Sequence, residues 1–430
     1  MERGAVSRGG AAREGAPLPA DPARHRYRRD RLRRGLRVRI LRKDGSRVKR
    51  VIAILGGSTP FTAALVEAFR AAPACELRLF GQDRDALEKM KRYAERRLEW
   101  TVLATSRLDE AVNGAAVVVN QIRFGGLEGR SRDEALADRF GLAADETLGP
   151  CGLSAALRVV PRIRELAAGL GLRCPDAWVL NLSNPLSVTT RAMIRAGAPR
   201  KCVGLCELPL TTFLETCRLM RVSPSDVEWE YGGLNHRGFI FMLRHRGEDL
   251  MPRLPEMLDG RTIFGIKAED IREIGALPLK YFRLSPSVGR AKFLGELRKA
   301  LAGELEAGTT PPPSLSLRDQ SWYEAAVVPM VAAIFADDGR RMIVNCLRDD
   351  GLVREVPAQV WRDRVEVVAA EPPARLAPWL ERWASHERAL LDALESPSLE
   401  RIEGALALDP MVPQARASEI AQAIWAEHAN

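Results

Sequence analysis

The order of apolar and polar positions changes character once along the chain. From residue 49 to about residue 220, short continuous apolar runs alternate with longer stretches that are apolar on one side only. Residues 49–72, KRVIAILGGSTPFTAALVEAFRAA, hold an apolar run, a glycine turn and then a helical period, with Pro60 suited to the first helical turn. That order predicts a buried parallel strand followed by an amphipathic helix. CELRLFGQD (75–83) predicts the next strand, RDALEKMKRYAERR (84–97) a charged helix, and NGAAVVVNQI (113–122) a third apolar strand. Residues 176–197 and 200–220 each repeat strand, polar turn and helix. Strands alternating with helices predict an α/β fold with a Rossmann-type doubly wound parallel sheet. Beyond residue 220 strands and helices are mixed, GTTPPPSLSLRDQ (308–320) reads as a proline-rich connection, and a helical tail is expected from about Ala374. The expected division is a basic, disordered extension at 1–48, a dinucleotide-binding domain at 49–220 and a C-terminal α+β domain at 221–430.

Composition narrows the class of protein. A chain of 430 residues with 46% hydrophobic content buries a large core. No apolar run approaches the roughly 18 residues of a membrane span, so a cytoplasmic protein without a membrane partner is expected. Its seven cysteines are odd in number and form no CxxC pair, which argues against a disulfide framework and against a zinc knuckle. The net charge of +9 suggests nucleic acid until it is divided along the chain. Residues 1–50 carry 17 Lys and Arg against 5 Asp and Glu, so the remainder is net −3. No nucleic-acid partner is therefore expected for the folded part. The arginine-rich segment at 24–43 reads as a disordered extension or an over-long start, or else as a polyanion-binding or transit segment.

Two places carry candidate chemistry. The turn Gly56-Gly57-Ser58 follows the first strand and opens the first helix, where phosphates bind, and Asp83 ends the second strand, where an acid holds a ribose diol. A carboxylate there favours NAD over NADP. An ordinary tight turn with a solvent-facing acid is the plainer alternative. Further on, CVGLCELPLTTF (202–213) sets Cys206 beside Glu207, and YGGLNHRG (231–238) contains His236. Taken alone, these read as a buried thiol and a backbone-bonded histidine.

Five ordered segments change that reading: VIAILGGSTPFTAALVEAF (51–69), the long stretch NQIRFGG to RVVP (120–161), NLSNPLSVTTRAM (181–193), VGLCELP (203–209) and GGLNHRGF (232–239). In order and spacing they resemble the signature segments of glycoside hydrolase family 4, and WYEAAVVPMVAAI (322–334) extends the likeness more loosely. The resemblance implies a lactate/malate-dehydrogenase-like fold and dependence on NAD and on Mn²⁺ or another divalent metal. It implies hydrolysis of a hexoside, 6-phosphorylated in the phosphoglucosidase branches, by transient oxidation at C3, loss of the C2 proton, elimination, water addition and re-reduction. It makes Cys206 and His236 the metal ligands, Tyr281 in ALPLKYFRL the C2 base, and Glu207 a candidate acid for the leaving group. It sets Asn120 and Arg123 beside the nicotinamide, with Arg123, Asn181 and Asn184 at the sugar hydroxyls, and Glu134 and Glu146 in an enclosing acidic loop. Arg283 and Arg290 are candidates for a sugar phosphate. A homodimer or homotetramer follows by analogy.

The chain departs from the family pattern at several positions. Glu207 stands where the 6-phospho-α-glucosidases have Asp and the 6-phospho-β-glucosidases commonly Asn. Asp145 stands where glutamine is usual, Cys151 where glycine is expected, and Phe282 interrupts a run of tyrosines. The rival readings are an NAD-dependent hydroxy-acid dehydrogenase, which has no need of the Cys206/His236 pair, and a catalytically silent NAD-binding regulator.

Overall fold

The computed structural model describes residues 50–428 except 259, 285, 287 and 288. The basic segment, and the expectations attached to it, lie outside the described residues.

β1 (Val51–Leu55) is buried along its length and feeds two cores at once. Val51, Ala53 and Leu55 face one, Ile52 and Ile54 the other. A strand apolar on both faces is what a parallel sheet covered by helices requires. α1 (Thr62–Phe69) starts with Phe61 as its N-cap, so Pro60 closes the glycine turn and lies just outside the helix, not in its first turn. β2 (Glu76–Phe80), α2 (Arg84–Arg97), β3 (Thr101–Thr105), α3 (Leu108–Val112) and β4 (Val117–Asn120) follow. The strand expected third is thus fourth. β3 pairs with β2 at the sheet edge and exposes Thr101 and Leu103, so its apolar run is only three residues long, between two threonines.

α4 (Gly126–Arg139), α5 (Gly149–Arg173), β5 (Trp178–Asn181), α6 (Leu186–Arg195), β6 (Lys201–Gly204) and α7 (Leu208–Met220) complete the parallel part. Its order is β6-β5-β4-β1-β2-β3. The chain winds one way from β1 and then returns to wind the other way from β4. Ligands bind such sheets at the carboxyl ends beside that reversal.

The second half begins with the hairpin β7 (Val227–Leu234) and β8 (Arg237–His245), then β9 (Glu248–Asp249), α8 (Leu254–Leu258), α9 (Ala268–Ile274), β10 (Leu277–Pro278), α10 (Arg290–Glu306) and α11 (Val328–Ala336). It ends with β11 (Arg340–Leu347), β12 (Val353–Val360), β13 (Val365–Val367) and the helices α12 (Ala377–Glu395), α13 (Leu399–Leu408) and α14 (Ala417–His428). Among the described residues the antiparallel strands do not form a separate sheet. They continue the parallel one as β10-β8-β7-β12-β11-β6, joined at one pair on each side of the β11–β12 hairpin: Asn345 with Gly204 of β6, and Glu355 with Gly233 of β7.

The tail helices are pinned to β8 by a buried ion network. Arg237 bonds His386 of α12 at 2.7 Å and Asp409 at 2.9 Å, and His386 Nε2 lies 3.2 Å from Asp409. Burial alone raises the Asp409 pKa, but His386 and Arg237 outweigh it and hold the carboxyl below its ordinary range. Asp409→Asn leaves Arg237 buried without its anion, which costs about 3–5 kcal/mol. The depressed folded-state pKa means that this stabilisation is complete above the ordinary Asp value of about 3.9 and is lost as pH falls below it. Thermal unfolding at pH 7 is expected to show a clear drop in midpoint for the variant, and the gap to wild type should close as the pH is lowered below about 4.

Candidate functional site

The first side of the site is the glycine turn after β1. The Gly56 and Gly57 amides both donate to the Phe80 carbonyl, at 3.0 and 2.8 Å, so their contribution is shape. Gly56 has a φ of 89°, and a Cβ there would meet the Ile122 amide nitrogen at 3.2 Å; one on Gly81 would strike Ser58 Oγ at 2.6 Å. The glycines let three strand ends converge, and Ser58 stands half-buried at the opening of α1. Gln121 fastens this arrangement by donating to the Gly56 carbonyl and Thr62 Oγ1 and accepting from the Tyr323 hydroxyl at 2.6 Å. Asp83 caps α2 through a bond from the Ala86 amide at 3.0 Å. A ribose diol there would find one carboxylate oxygen already engaged.

Asn120 and Asn181 have a part different from direct ligand contact. Both are fully buried, and Asn120 donates to Asn181 at 2.9 Å and to Ser183, while Asn181 donates to Thr189 and Thr190. Their amides are consumed in tying the ends of β4 and β5 to α6. Asn184 is only half-buried and donates to Glu146 at 2.7 Å. Glu146 also accepts from Arg123 and lies 3.6 Å from Arg130. Burial raises its pKa, but Arg123, Arg130 and Asn184 together drive the carboxyl far below its ordinary value. Arg130 in turn bonds Glu134, whose carboxylate accepts the Ala291 amide at the start of α10. Arg123, Glu146 and Asn184 thus form one polar face beside the turn.

Next to this face, reached through Asp145, lie the thiol and the imidazole. Cys206 lies two residues past β6, at the start of α7, and is only partly buried where the other six cysteines are buried. His236 lies in the β7–β8 turn with a φ of 65°, strain of a kind that concentrates at functional sites. Its Nδ1 is buried without a hydrogen-bond partner and stands 3.7 Å from Asp145. Tyr281 stacks on the His236 ring, centroids 3.8 Å apart and planes 13° from parallel. Burial, with Asp145, Cys206, Glu207 and Glu146 nearby, pushes the Tyr281 phenol well above its usual pKa. Burial, Glu207 and Glu355 likewise push the Cys206 thiol up. Glu207 is the N-cap of α7, with a carboxylate oxygen 3.9 Å from the Cys206 sulfur.

Three residues of this neighbourhood carry no motif. Glu355 of β12 is fully buried and accepts from Tyr231, Asn235 and Asn345. Its one sequence signal is an acid on the apolar side of a strand, between Val353 and Pro357. Arg318, in the proline-rich connection, lies between the rings of Phe61 and Trp322, 4.9 and 4.7 Å from their centroids. Its Nε is buried without a partner, and burial brings its pKa down to about 10. Arg290 lies at the start of α10 within electrostatic reach of Glu146 and Tyr281. Arg283 is already bound to the buried Asp270. Cys151, on α5, is buried against the Asp133 carbonyl of α4 and packs with Ala137 and Ala144.

The chain matches the model of the family 4 glycosyl hydrolases over residues 50–220 and that of the family 4 glycosyl hydrolase C-terminal domain over residues 231–412. It is 26% identical over 392 residues to the 6-phospho-beta-glucosidase BglT of Thermotoga maritima, covering 84% of this chain and 94% of that one. It is 26% identical over 421 residues to the 6-phospho-alpha-glucosidase of Leptotrichia buccalis, covering 85% and 94%. Its fold is shared with the Thermotoga maritima 6-phospho-beta glucosidase solved with manganese, NAD⁺ and glucose-6-phosphate (TM-score 0.79, 24% identity, 88% and 98% covered). It is shared more distantly with lactate dehydrogenase from Eimeria maxima (TM-score 0.55, 15% identity, 82% and 96% covered).

The donor set suits a divalent cation. A thiol, an imidazole with a buried unpartnered nitrogen and the buried unpartnered Asn235 Oδ1 converge beside acids. Among the described residues no group of three or more His, Cys, Asp or Glu side chains is placed to hold a metal. Iodoacetamide is expected to alkylate Cys206 ahead of the six buried thiols, with a rate still rising above pH 9. Added Mn²⁺ should slow that labelling, as followed by mass spectrometry, and Cys206→Ser should abolish it.

Proposed function

The chain belongs to the family 4 glycosyl hydrolases, and on that premise we propose that it cleaves a 6-phosphorylated hexoside with NAD and Mn²⁺, or another divalent metal, as cofactors. The observation that carries the reading is the stacking of Tyr281 on His236, because it sets a phenol against the imidazole of the Cys206/His236 pair. In this reading residues 49–220 hold the dinucleotide, and residues 221–430 supply His236, Tyr281 and the substrate wall.

When bound, NAD supplies a reversible hydride acceptor, and the cation supplies Lewis acidity at sugar oxygens and a charge that offsets the acids around Tyr281. Cys206 and His236 hold the cation. Gly56, Gly57 and Ser58 cradle the dinucleotide, with Arg318 over Phe61 as a counter-charge for its diphosphate. Asn184 and the Arg123–Glu146 pair hold sugar hydroxyls, donating and accepting from one face. With the cation's charge offsetting the neighbouring acids, Tyr281 would act as the phenolate, and its oxygen would take the C2 proton. The Glu207 carboxyl gives a proton to the departing glycosidic oxygen. Arg290, near Glu146 and Tyr281 and more available than Arg283, binds the sugar phosphate. The names of the relatives, which specify 6-phosphoglucosides of both anomers, support the phosphorylated class. We assign the protein to the cytoplasm as a homodimer or homotetramer; no described helix is long and apolar enough to cross a membrane.

Nitrophenyl glucosides and 6-phosphoglucosides of both anomers, each with and without NAD⁺ and Mn²⁺, test this reading. Release of nitrophenol that needs both cofactors and leaves no net NADH is expected for a 6-phosphoglucoside. Accumulating NADH would favour a dehydrogenase. Tyr281→Phe should lower kcat by about 10²–10⁴-fold while NAD⁺ binding is retained. Arg290→Ala should raise KM for the phosphorylated substrate by at least about tenfold, the loss of one charged hydrogen bond.

A further inference from the structure

We propose that Glu355 is a positioning residue that sets the register between Cys206 and His236, so that the two side chains address a single cation. The proposal rests on the metal reading above and goes beyond it by naming what aligns two ligands carried on different parts of the sheet.

Cys206 follows β6, and His236 follows β7. Between those strands run β11 and β12, and each meets its outer neighbour at one residue pair: Asn345 with Gly204, two residues before Cys206, and Glu355 with Gly233, three residues before His236. Such short pairing leaves the outer strands free to slide unless side chains fix them. Glu355 supplies the fixing contacts. Its Oε1 accepts from Asn345 Nδ2 and from Asn235 Nδ2, both at 2.9 Å, and its Oε2 accepts from the Tyr231 hydroxyl. One carboxylate therefore holds β11 at the Cys206 end, the residue next to His236, and β7 itself. Glu355, Tyr231 and Asn345 are all fully buried, so no water relaxes the arrangement. Gly238 belongs to the device as well, because a Cβ there would occupy the place of the Tyr231 hydroxyl.

Reach and charge make opposite demands on substitutions. Glu355→Gln keeps an oxygen for the two asparagines, and its amide can donate to a rotated Tyr231 hydroxyl. Glu355→Asp keeps the charge but is one methylene too short to meet all three donors. A positioning role predicts that glutamine is tolerated and aspartate is not; a purely electrostatic attraction for the cation predicts the reverse.

Mn²⁺ affinity is read from the paramagnetic resonance signal of free Mn²⁺ in the presence of NAD⁺, with NAD⁺ affinity and thermal midpoint measured alongside. Glu355→Asp is expected to weaken Mn²⁺ binding by about 10–100-fold, the usual loss when an outer partner of a metal ligand is removed. Glu355→Gln should stay within about threefold of wild type, and NAD⁺ affinity should be unchanged in both. Asn345→Ala removes the β11 tie without touching either ligand and should cost at least about threefold in Mn²⁺ affinity, which keeps the proposal testable if the aspartate variant does not fold. Aspartate binding Mn²⁺ as well as or better than glutamine, wild-type affinity in all variants, or equal losses of Mn²⁺ and NAD⁺ would each overturn it. Failure of the wild-type protein to take up Mn²⁺ would sink the metal reading together with the proposal, whereas a reversed Asp/Gln order would sink the proposal alone.

Discussion

Between β6 and β7 the sheet passes from parallel to antiparallel through a two-strand hairpin that touches its outer neighbours at one residue pair on each side. Everything the site needs from both halves of the chain must cross that junction in register. The parallel half brings the glycine turn, the Arg123–Glu146–Asn184 face and Cys206. The antiparallel half brings His236 on a strained turn and Tyr281 stacked against it. A shift of one residue at either pair would carry His236 away from Cys206 by about 3.3 Å, the rise of one strand residue. That is more than metal coordination tolerates. The buried carboxylate of Glu355 sits at this junction, and the two cores on either face of the parallel sheet keep its strands from moving independently.

Charge is the second organising feature. On the Glu146 side, acids are matched by arginines: Glu146 by Arg123 and Arg130, Glu134 by Arg130 and the start of α10. On the Cys206 side they are not. Asp145, Glu207 and Glu355 stand near a thiol and a phenol, and in the absence of a cation burial and these acids push the pKa of both groups up. Burying that much negative character without a nearby cation is costly, and a bound divalent ion removes the cost. Asp145, in place of the glutamine usual in the family, adds to this imbalance. Its oxygen also accepts the Thr147 and Leu148 amides, so it shapes the turn that leads into α5 as well as neighbouring His236.

The strands of the parallel sheet other than β3 are legible because each is a short apolar run between turns, and the candidate residues of the site are legible where they fall in ordered family segments. β3 was hidden because an edge strand exposes half of its side chains. The burial of Asn120 and Asn181 was hidden because NQIR and NLSNP look alike whether an amide faces a sugar or a threonine. Only the fold shows that their hydrogen-bonding capacity is spent internally. Glu355 and Arg318 were hidden for a different reason. Each depends on partners more than a hundred residues away, Tyr231 and Asn235 for one and Phe61 for the other, and local spacing carries no trace of such pairings.

If the glycosidic bond breaks by elimination, the C2 proton, made acidic by oxidation at C3, must leave before the bond does, with Tyr281 as the proposed base. Hydrolysis of a 6-phosphoglucoside in deuterium oxide, with NAD⁺ and Mn²⁺ present, tests this order most directly. A proton taken by Tyr281 is replaced from solvent when water adds back, so the sugar phosphate product should carry deuterium at C2. A product released at a comparable rate with only hydrogen at C2 would mean displacement at C1 without C2 chemistry, and would contradict the account.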